Sequence, residues 1–426
     1  MPEKKKLLTA DLIRKIDFWC GIPLAALLTG WRRITQKLGF RKLQQTPRKI
    51  LFLKMTEQGA TVLAWPAIRR AIDMVGAENV YFWVFQENKA ILLLLNMIKE
   101  ENIVAVRADR PLEFALDMLR SLWRIRRAGI DCSVDLEFFS RASAIFAYLC
   151  GASSRVGLER FTNEGPYRGD LLTHKVAYNF YLHTSEMYRV LVESLNADLQ
   201  ESPLLKEVAQ GIEYSEGRMI ALPPADPLIR FESTLEQREA VWKLLQAESS
   251  VELSKPIILL NPNASDLLPL RKWPQERFEQ LARGILERWP QATVVFTGSK
   301  AEASVPEEMV RSIGSPRAVS LAGKTDMERL LCLYQLSDVL VTNDSGPGHF
   351  ASTTDIHAIV LFGPETPLLF GPRGARADVL WAGLACSPCV SVYNHRLSPC
   401  NNNLCMQRIR VEQVLERIER CLEKSL

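Results

Sequence analysis

VLVTNDSGPGHFA (Val339 to Ala351) is the stretch from which the rest of the chain can be read. An apolar run, Val339 to Thr342, meets a short polar loop, Asn343 to His349, and a small-residue helix start follows at Phe350-Ala351-Ser352. In a strand–loop–helix unit of this kind the first N–H groups of the helix lack intrahelical partners, a place suited to a phosphate. Ser345, Gly346 and Gly348 would let the backbone approach an anion, and His349 lies one turn into the helix beside the same loop. Asp344 has two readings: a helix N-cap, or a polar group lining the ligand.

The same alternation extends in both directions. Lys49 to Lys54, Val80 to Phe85, Ile103 to Arg107 and Ile130 to Val134 read as strands, with helices over 59–75, 87–99, 111–128 and 140–150. Val156 to Gly169 reads as a polar loop and Thr184 to Leu195 as a helix. Residues 199–255 are rich in Glu, Ser and Pro around one helix near Leu235 to Ala247. A second set follows, with strands at Ile257 to Leu260, Ala292 to Thr297, Val339 to Thr342 and Ala358 to Phe362, and helices at 275–288, 327–336 and 411–424. Strands alternating with amphipathic helices predict parallel sheets, so the expected class is α/β with two Rossmann-like doubly wound domains and a cleft between them. The expected boundaries are 1–48 for a basic helical segment, 49–250 and 251–405 for the two domains, and 406–426 for a last helix.

Ligands of open parallel sheets bind beyond the carboxyl ends of the strands, which directs attention to four loops. Asn261 to Ser265 leads into Arg271-Lys272-Trp273-Pro274, two adjacent cations opening onto a helix and able to neutralise a diphosphate. A solvated Arg-Lys pair is the plain alternative. Thr297-Gly298-Ser299-Lys300 is a third turn of suitable type, and Gly363-Pro364-Glu365-Thr366-Pro367 closes the 358–362 strand on the same rim.

Composition is that of a globular protein, 47% hydrophobic and 24% charged over 426 residues, which excludes disordered, collagen-like and small disulfide-rich classes. The net charge of +4 hides a division: residues 1–49 carry +9 and the remainder −5. Within the basic end, Phe18 to Trp31 (FWCGIPLAALLTGW) has no charge over fourteen residues. As a helix it would be about 21 Å long, short of the ~30 Å bilayer core. An in-plane or re-entrant membrane helix kinked at Pro23 is the preferred reading, ahead of a helix packed on the protein's own body, a spanning helix or a signal peptide. Anionic lipid is favoured over nucleic acid as partner because the centre of the segment is apolar.

Nine cysteines suggest reduced thiols in a cytosolic compartment. Cys386, Cys389, Cys400 and Cys405, with His395 between the pairs, have a spacing compatible with structural zinc, while packed thiols and disulfides stay open as alternatives.

The runs N-D-S-G-P-G-H-F-A, K-W-P-Q-E-R-F and L-F-G-P-E-T-P, with K-I-L-F-L-K-M-T-E-Q-G, I-D-C-S-V-D-L-E, R-V-G-L and H-T-S-E-M-Y-R-V-L earlier, resemble glycosyltransferase family 9, the ADP-heptose:lipopolysaccharide heptosyltransferases and their relatives. The resemblance covers about residues 49–425. It implies a GT-B fold and an inverting, metal-independent transfer with no cofactor beyond the nucleotide sugar. It further implies a glycolipid acceptor such as lipopolysaccharide core, and a place at the cytoplasmic face of the inner membrane as a peripheral or monotopic protein. By position, Lys272 and Ser265 would contact the diphosphate, with Arg271 and Ser299 beside them, while Asp344, Ser345, Gly346, Gly348 and His349 would line the sugar nucleotide.

The first loop departs from the pattern. Where the family usually has Gly-Asp, the Asp being the acceptor base, this chain has Gly59-Ala60. Glu57, beside Thr56 in the same turn, is the available carboxylate and is the expected general base, the alternative being a helix cap or a solvated group. At the turn where relatives tend to hold the ribose with an acid, this chain has Lys300, with Glu302 two positions later. Loss of the usual Asp leaves open an inactive relative that binds a nucleotide sugar or scaffolds a membrane complex. A nucleotide-sugar epimerase of the same fold is disfavoured by the matched loops.

Overall fold

The computed structural model describes residues 10–39, 46–108, 110–159, 167–196, 214–215, 218–219, 228–264, 268–393 and 396–423. Two compact units divide the chain, Met1–Pro227 and Leu228–Leu426. The helix near 235–247, placed at the sequence stretch between the domains, therefore belongs to the second unit and packs there against the helix Met327–Leu336.

The first unit is built on a six-stranded parallel sheet of β1 (Ile50–Leu53), β2 (Val80–Phe85), β3 (Ile103–Val106), β4 (Cys132–Asp135), β5 (Ser154–Glu159) and β6 (His174–Ala177), ordered β3-β2-β1-β4-β5-β6. Its helices are α1 (Ala10–Trp19), α2 (Gly21–Lys37), α3 (Gln58–Leu63), α4 (Trp65–Val75), α5 (Lys89–Leu94), α6 (Pro111–Ala128), α7 (Arg141–Leu149) and α8 (Thr184–Glu193). A two-residue pair, β7 (Tyr214–Ser215) and β8 (Arg218–Met219), is antiparallel. β1 is buried at every position, as expected of a central parallel strand covered on both faces. Proline at the start of α6 and a left-handed Gly129 after it bound that helix on both sides.

The second unit repeats the plan. β9 (Ile257–Asn261), β10 (Thr293–Phe296), β11 (Ala318–Ser320), β12 (Val339–Asn343), β13 (His357–Phe362) and β14 (Ala377–Trp381) form a parallel sheet ordered β11-β10-β9-β12-β13-β14. Around it lie α9 (Leu235–Gln246), α10 (Gln275–Arg288), α11 (Ser304–Ile313), α12 (Met327–Leu336), α13 (Gly346–Ala351), α14 (Pro367–Phe370), α15 (Leu404–Gln407) and α16 (Val411–Glu423). α9 begins with a capping box between Thr234 and Gln237. α16 buries Val411, Val414, Ile418 and Cys421 against the sheet core, the stripe its 3-4 spacing predicts. In each sheet the strand order reverses between the first strand and the fourth, β1/β4 and β9/β12, and the crevice beyond that point is the expected ligand site.

Several local expectations change. Val156 to Gly169 begins as strand β5 rather than loop, because Ser154 to Gly157 pair with β4 and Val156 to Glu159 with β6; residues 160–166 lie outside the described set. The 87–99 helix shortens to α5, and β6, β11 and β14, absent from the sequence reading, complete the sheets. The helix read over 59–75 divides at Ala64 into α3 and α4, with Pro66 placed in the first turn of α4, where its missing N–H removes no helical bond.

The basic N-terminal segment is not an independent element. It divides at Cys20 into α1 and α2, and Pro23 sits in the first turn of α2, so the break precedes the proline that was expected to cause it. The Asp17 carboxylate accepts from Arg141 Nη1 at 2.8 Å and from the Ala142 N–H at 3.1 Å, both on α7. Arg32 Nη1 donates to Asp170 Oδ2 at 2.6 Å, and the Asp170 N–H donates to Thr29 Oγ1 at 2.8 Å. Gly169 is required where α2 crosses, since it holds φ +70° and a Cβ there would lie 2.7 Å from the Ala25 carbonyl oxygen. Ala25 packs with Ile145, Tyr148 and Leu171 in one apolar cluster. The reading in which the segment packs on the protein's own body thus describes its inner face. Its outer face leaves Trp19, Leu27, Trp31, Ile34 and Leu38 exposed. Among the described residues no helix is long and apolar enough to cross a membrane.

Candidate functional site

Around the crevice of the second unit, Asn343 at the end of β12 ties two loops together. Its Nδ2 donates to the Pro262 and Asn263 carbonyls at 2.9 and 3.3 Å, and its Oδ1 accepts from the Trp273 N–H at 3.0 Å. Asn263 continues the link by donating to the Thr297 carbonyl at 3.4 Å. A Cβ on Gly298 would lie 2.5 Å from the same Asn263 amide. The loops after β9, β10 and β12 are therefore one assembly, with Lys272 immediately before the anchored, buried Trp273. Trp273 Nε1 donates to the Ile409 carbonyl at 3.0 Å, and Asn403 Nδ2 donates to the Lys272 carbonyl at 2.8 Å. The backbone that presents Lys272 is thus fixed from two sides.

Arg271 and Asp344 are placed differently from the expectation. Arg271 Nη1 lies 3.6 Å from Asp344 Oδ2 and 3.4 Å from Glu365 Oε2, and Arg396 Nε lies 3.5 Å from Glu365 Oε1. Both carboxylates are buried. Arg271 is consequently a counter-ion to two buried acids as well as a neighbour of Lys272. Asp344 is not the cap of α13; Ser345 occupies that position and makes no side-chain cap bond, its Oγ donating instead to the Asn343 carbonyl at 3.1 Å. Burial pushes the Asp344 carboxyl up to about 7, with Glu365 adding to the rise and Arg271 opposing it.

That rise predicts a pH dependence. Below about 4 both the folded and unfolded chains hold the Asp344 proton; between there and about 7 only the folded chain does, so this group's contribution to stability falls as pH rises through the window. Asp135 of the first unit, raised to about 6 mainly by burial, acts in the same direction over a lower window. Asp344→Asn is expected to flatten the denaturation midpoint between about pH 6 and 7 and to reduce the slope between about pH 4 and 6 to the part that Asp135 contributes, as measured by urea unfolding across the pH range.

The glycines of the loop have a packing role. A Cβ on Gly348 would meet Val360 of β13 at 2.9 Å, so the bare Cα lets α13 lie against the sheet. Gly346 faces the Phe350 ring in the same way, and His349 is half-buried on α13. Ser299, expected to bind donor, gives its N–H and hydroxyl to Glu302 Oε2 at 2.9 and 2.6 Å. That capping box also occupies the acid considered for a ribose. Ser265 and His395 lie outside the described residues. Among the described residues, which include Cys386, Cys389, Cys400 and Cys405, no group of three or more His, Cys, Asp or Glu is disposed to hold a metal ion. None of the four is in a disulfide; Cys386 and Cys400 are exposed, and Cys405 is buried within α15.

In the first unit the equivalent crevice holds a charge cluster. Lys54, just past β1, has a side chain 0% exposed, with Nζ 3.1 Å from Glu57 Oε2 and 2.9 Å from Glu137 Oε2. Glu137 Oε1 accepts from the Met55 and Thr56 N–H groups at 2.8 and 3.2 Å. Burial alone would depress the Lys54 ammonium; Glu137 and Glu57 more than offset it and hold it protonated, above the usual lysine range. Glu57 takes a left-handed φ of 66° as the N-cap of α3 without a side-chain cap bond, which directs its carboxylate to Lys54 and leaves it about a third exposed. Gly59 is buried and Ala60 offers no proton acceptor. Glu137 closes the I-D-C-S-V-D-L-E run, but nothing in its spacing to Glu57, eighty residues away, marks the two as partners. Pairing of β1 with β4 brings them together.

A family model described as glycosyltransferase family 9 (heptosyltransferase) matches residues 120–397, well over half of the chain. The chain belongs to glycosyltransferase family 9. This family 9 chain is 28% identical over 199 residues to lipopolysaccharide heptosyltransferase 2 of Salmonella typhimurium, a match spanning 45% of the chain and 55% of that protein. It is 26% identical over 198 residues to lipooligosaccharide heptosyltransferase 2 of Campylobacter jejuni, spanning 44% and 60%. The chain thus spans little more than half the length of the curated relatives it matches. Its structure resembles Escherichia coli ADP-heptose lipopolysaccharide heptosyltransferase II, with a TM-score of 0.65 at 17% identity over 88% of this chain and 99% of that one. A family 9 glycosyltransferase from Veillonella parvula gives the same TM-score and identity over 90% and 99%. At such identities the likeness establishes the fold, two parallel six-stranded α/β units of GT-B type.

Proposed function

We propose that the protein is an inverting, metal-independent glycosyltransferase that moves a sugar, heptose by resemblance, from a nucleoside-diphosphate donor to a membrane-associated glycolipid such as lipopolysaccharide core. The observation that carries this reading is the single assembly Asn343 makes of the Lys272 loop and the N-D-S-G-P-G-H loop at the switch point of the second sheet. The relatives named as lipopolysaccharide heptosyltransferases support the donor and acceptor classes.

In the proposed reaction the acceptor hydroxyl oxygen bonds to the anomeric carbon from the face opposite the diphosphate, and the bond from that carbon to the phosphate oxygen breaks. The hydroxyl proton passes to Glu57, and negative charge gathers on the leaving diphosphate. Lys272 is the cation that meets it; Arg271, already balancing Asp344 and Glu365, sets the local potential. The cation is effective because its backbone is held before the donor arrives, so little reorganisation accompanies charge development.

The working place is the cytoplasmic face of the inner membrane, peripheral or monotopic, with α1–α2 as the surface element. Exposed Trp19, Leu27, Trp31 and Ile34 beside a segment of charge +9 support that assignment. The test is nucleotide release against ADP-, UDP- and GDP-sugars with lipid extract as acceptor. Acceptor-dependent release of ADP from ADP-heptose is the expected result. Donor binding without release from any donor would assign the chain to the scaffold class instead.

A further inference from the structure

We propose that α6 is a second lipid-docking element, whose arginine row engages anionic lipid phosphates while its apolar row enters the acyl boundary. Leu112, Leu116, Leu119 and Trp123 follow a 4-3-4 spacing on α6 and are 72, 44, 65 and 62% exposed. At about 100° per residue they fall within about 60° of one another, a single outward stripe. A stripe of four large apolar side chains in water is a cost that an unpartnered helix of a globular protein avoids.

The neighbouring row decides what covers it. Arg127, Arg120 and Arg124 lie about 60 to 120° round the helix from Leu112, between the apolar stripe and the buried face that holds Asp117, Ser121 and Ile125. Inward of that row, a cavity of about 210 Å³ opens along the edge strand β3, lined by Arg107, Arg120 and Arg124 with Asp117 as the only acid. Arg107 grips Asp117 at 2.8 and 3.0 Å, and Arg120 lies 3.5 Å from it, so one carboxylate is shared by two guanidiniums and the lining keeps a charge of +2. Arg124 reaches the Glu101 carbonyl, which holds it along the cavity wall.

Apolar row, cationic row and cationic cavity therefore follow in order across one helix. This is the order of acyl chains, headgroup phosphates and solvent across a membrane interface. A protein partner would need acids matched to three arginines; an anionic bilayer supplies them at every position. The Arg127 guanidinium stacks 5.1 Å over the Trp123 ring, placing an aromatic and a cation together as interfacial anchors do. Phe146 of α7 packs both against the cluster that takes Met118 and Ile125 of α6 and against the one that takes Ala25 of α2. α7 thus supports both surface helices within the same unit.

The inference rests on the proposal that the protein works at a lipid surface and adds α6 to α1–α2. It is tested by co-sedimentation of the full chain with phosphatidylcholine vesicles and with vesicles doped with phosphatidylglycerol. Arg120→Gln/Arg124→Gln is expected to lower the partition coefficient for the anionic vesicles about thirtyfold. It should also remove much of the wild type's loss of binding at high salt. Leu119→Ser/Trp123→Ser, at exposed positions that leave the fold intact by circular dichroism, is expected to lower it about tenfold or more. Trp19→Ser/Trp31→Ser reports on α1–α2 separately. If the α6 variants bind like the wild type while the α1–α2 variant does not, the α6 assignment falls and the lipid-surface reading stands. If the wild type fails to bind anionic vesicles, both fall. A concentration-dependent dimer dissolved by Leu119→Ser/Trp123→Ser would give the stripe to a second copy of the chain and overturn the proposal.

Discussion

Glu57→Gln is expected to lower kcat by about 10²–10⁴-fold, the range for removal of a positioned general base, with donor affinity unchanged. The substitution keeps the shape of the side chain and removes both its ability to take a proton and its negative charge beside Lys54. The position is constrained: a left-handed backbone at the start of α3 turns the carboxylate onto Lys54 at 3.1 Å. A comparison variant separates this role from its neighbour's. Glu137 accepts two backbone N–H groups and contacts the same ammonium, so Glu137→Gln is expected to loosen the Met55–Thr56 turn and to lower stability as well as rate. Single-turnover measurements on both variants check the assignment. Full activity in Glu57→Gln with loss in Glu137→Gln would move the base to Glu137.

Lys54→Met is expected to destabilise the first unit by about 3 kcal/mol, the lower part of the range for removing one partner of a buried ion pair. The methionine matches the lysine stem in length, so packing changes little and the electrostatic loss dominates. Two carboxylates would then face one another without the ammonium that separates them, and Glu137, only 14% exposed, has little solvent to turn to. The partial exposure of Glu57 keeps the effect below the upper end of the range. Urea unfolding followed in the first unit should show the midpoint falling with its slope retained. A double variant, Lys54→Met with Glu137→Gln, should recover part of the loss, because the unpaired charge is removed with its partner.

The sheets were legible wherever a strand is a continuous apolar run flanked by an amphipathic helix. β1, β2, β9, β10, β12 and β13 lie within two residues of their expected bounds, because burial on both faces writes itself into composition. Edge strands carry less of that signal. β14, at the rim of its sheet, is only half-buried at every position, and β6 alternates, so neither stands out from a loop. The N-terminal segment was legible as apolar and basic, but its inner face depends on Arg141, Asp170 and Gly169, all distant in sequence.

Sequence alone determined the class of each unit, the loops at the switch points, and the presence of Lys272 and the N-D-S-G-P-G-H run, since these follow from local periodicity and contiguous residues. Tertiary structure decided which charges meet. It set Arg271 against Asp344 and Glu365, gave Ser299 to Glu302, joined Lys54 to Glu57 and Glu137, and placed the arginines of α6 beside its exposed leucines. The pairings of Arg271 with Asp344 and Glu365 and of Lys54 with Glu137 join residues far apart in the chain, and a Coulomb interaction depends on distance through space and on burial, neither of which spacing along the chain encodes.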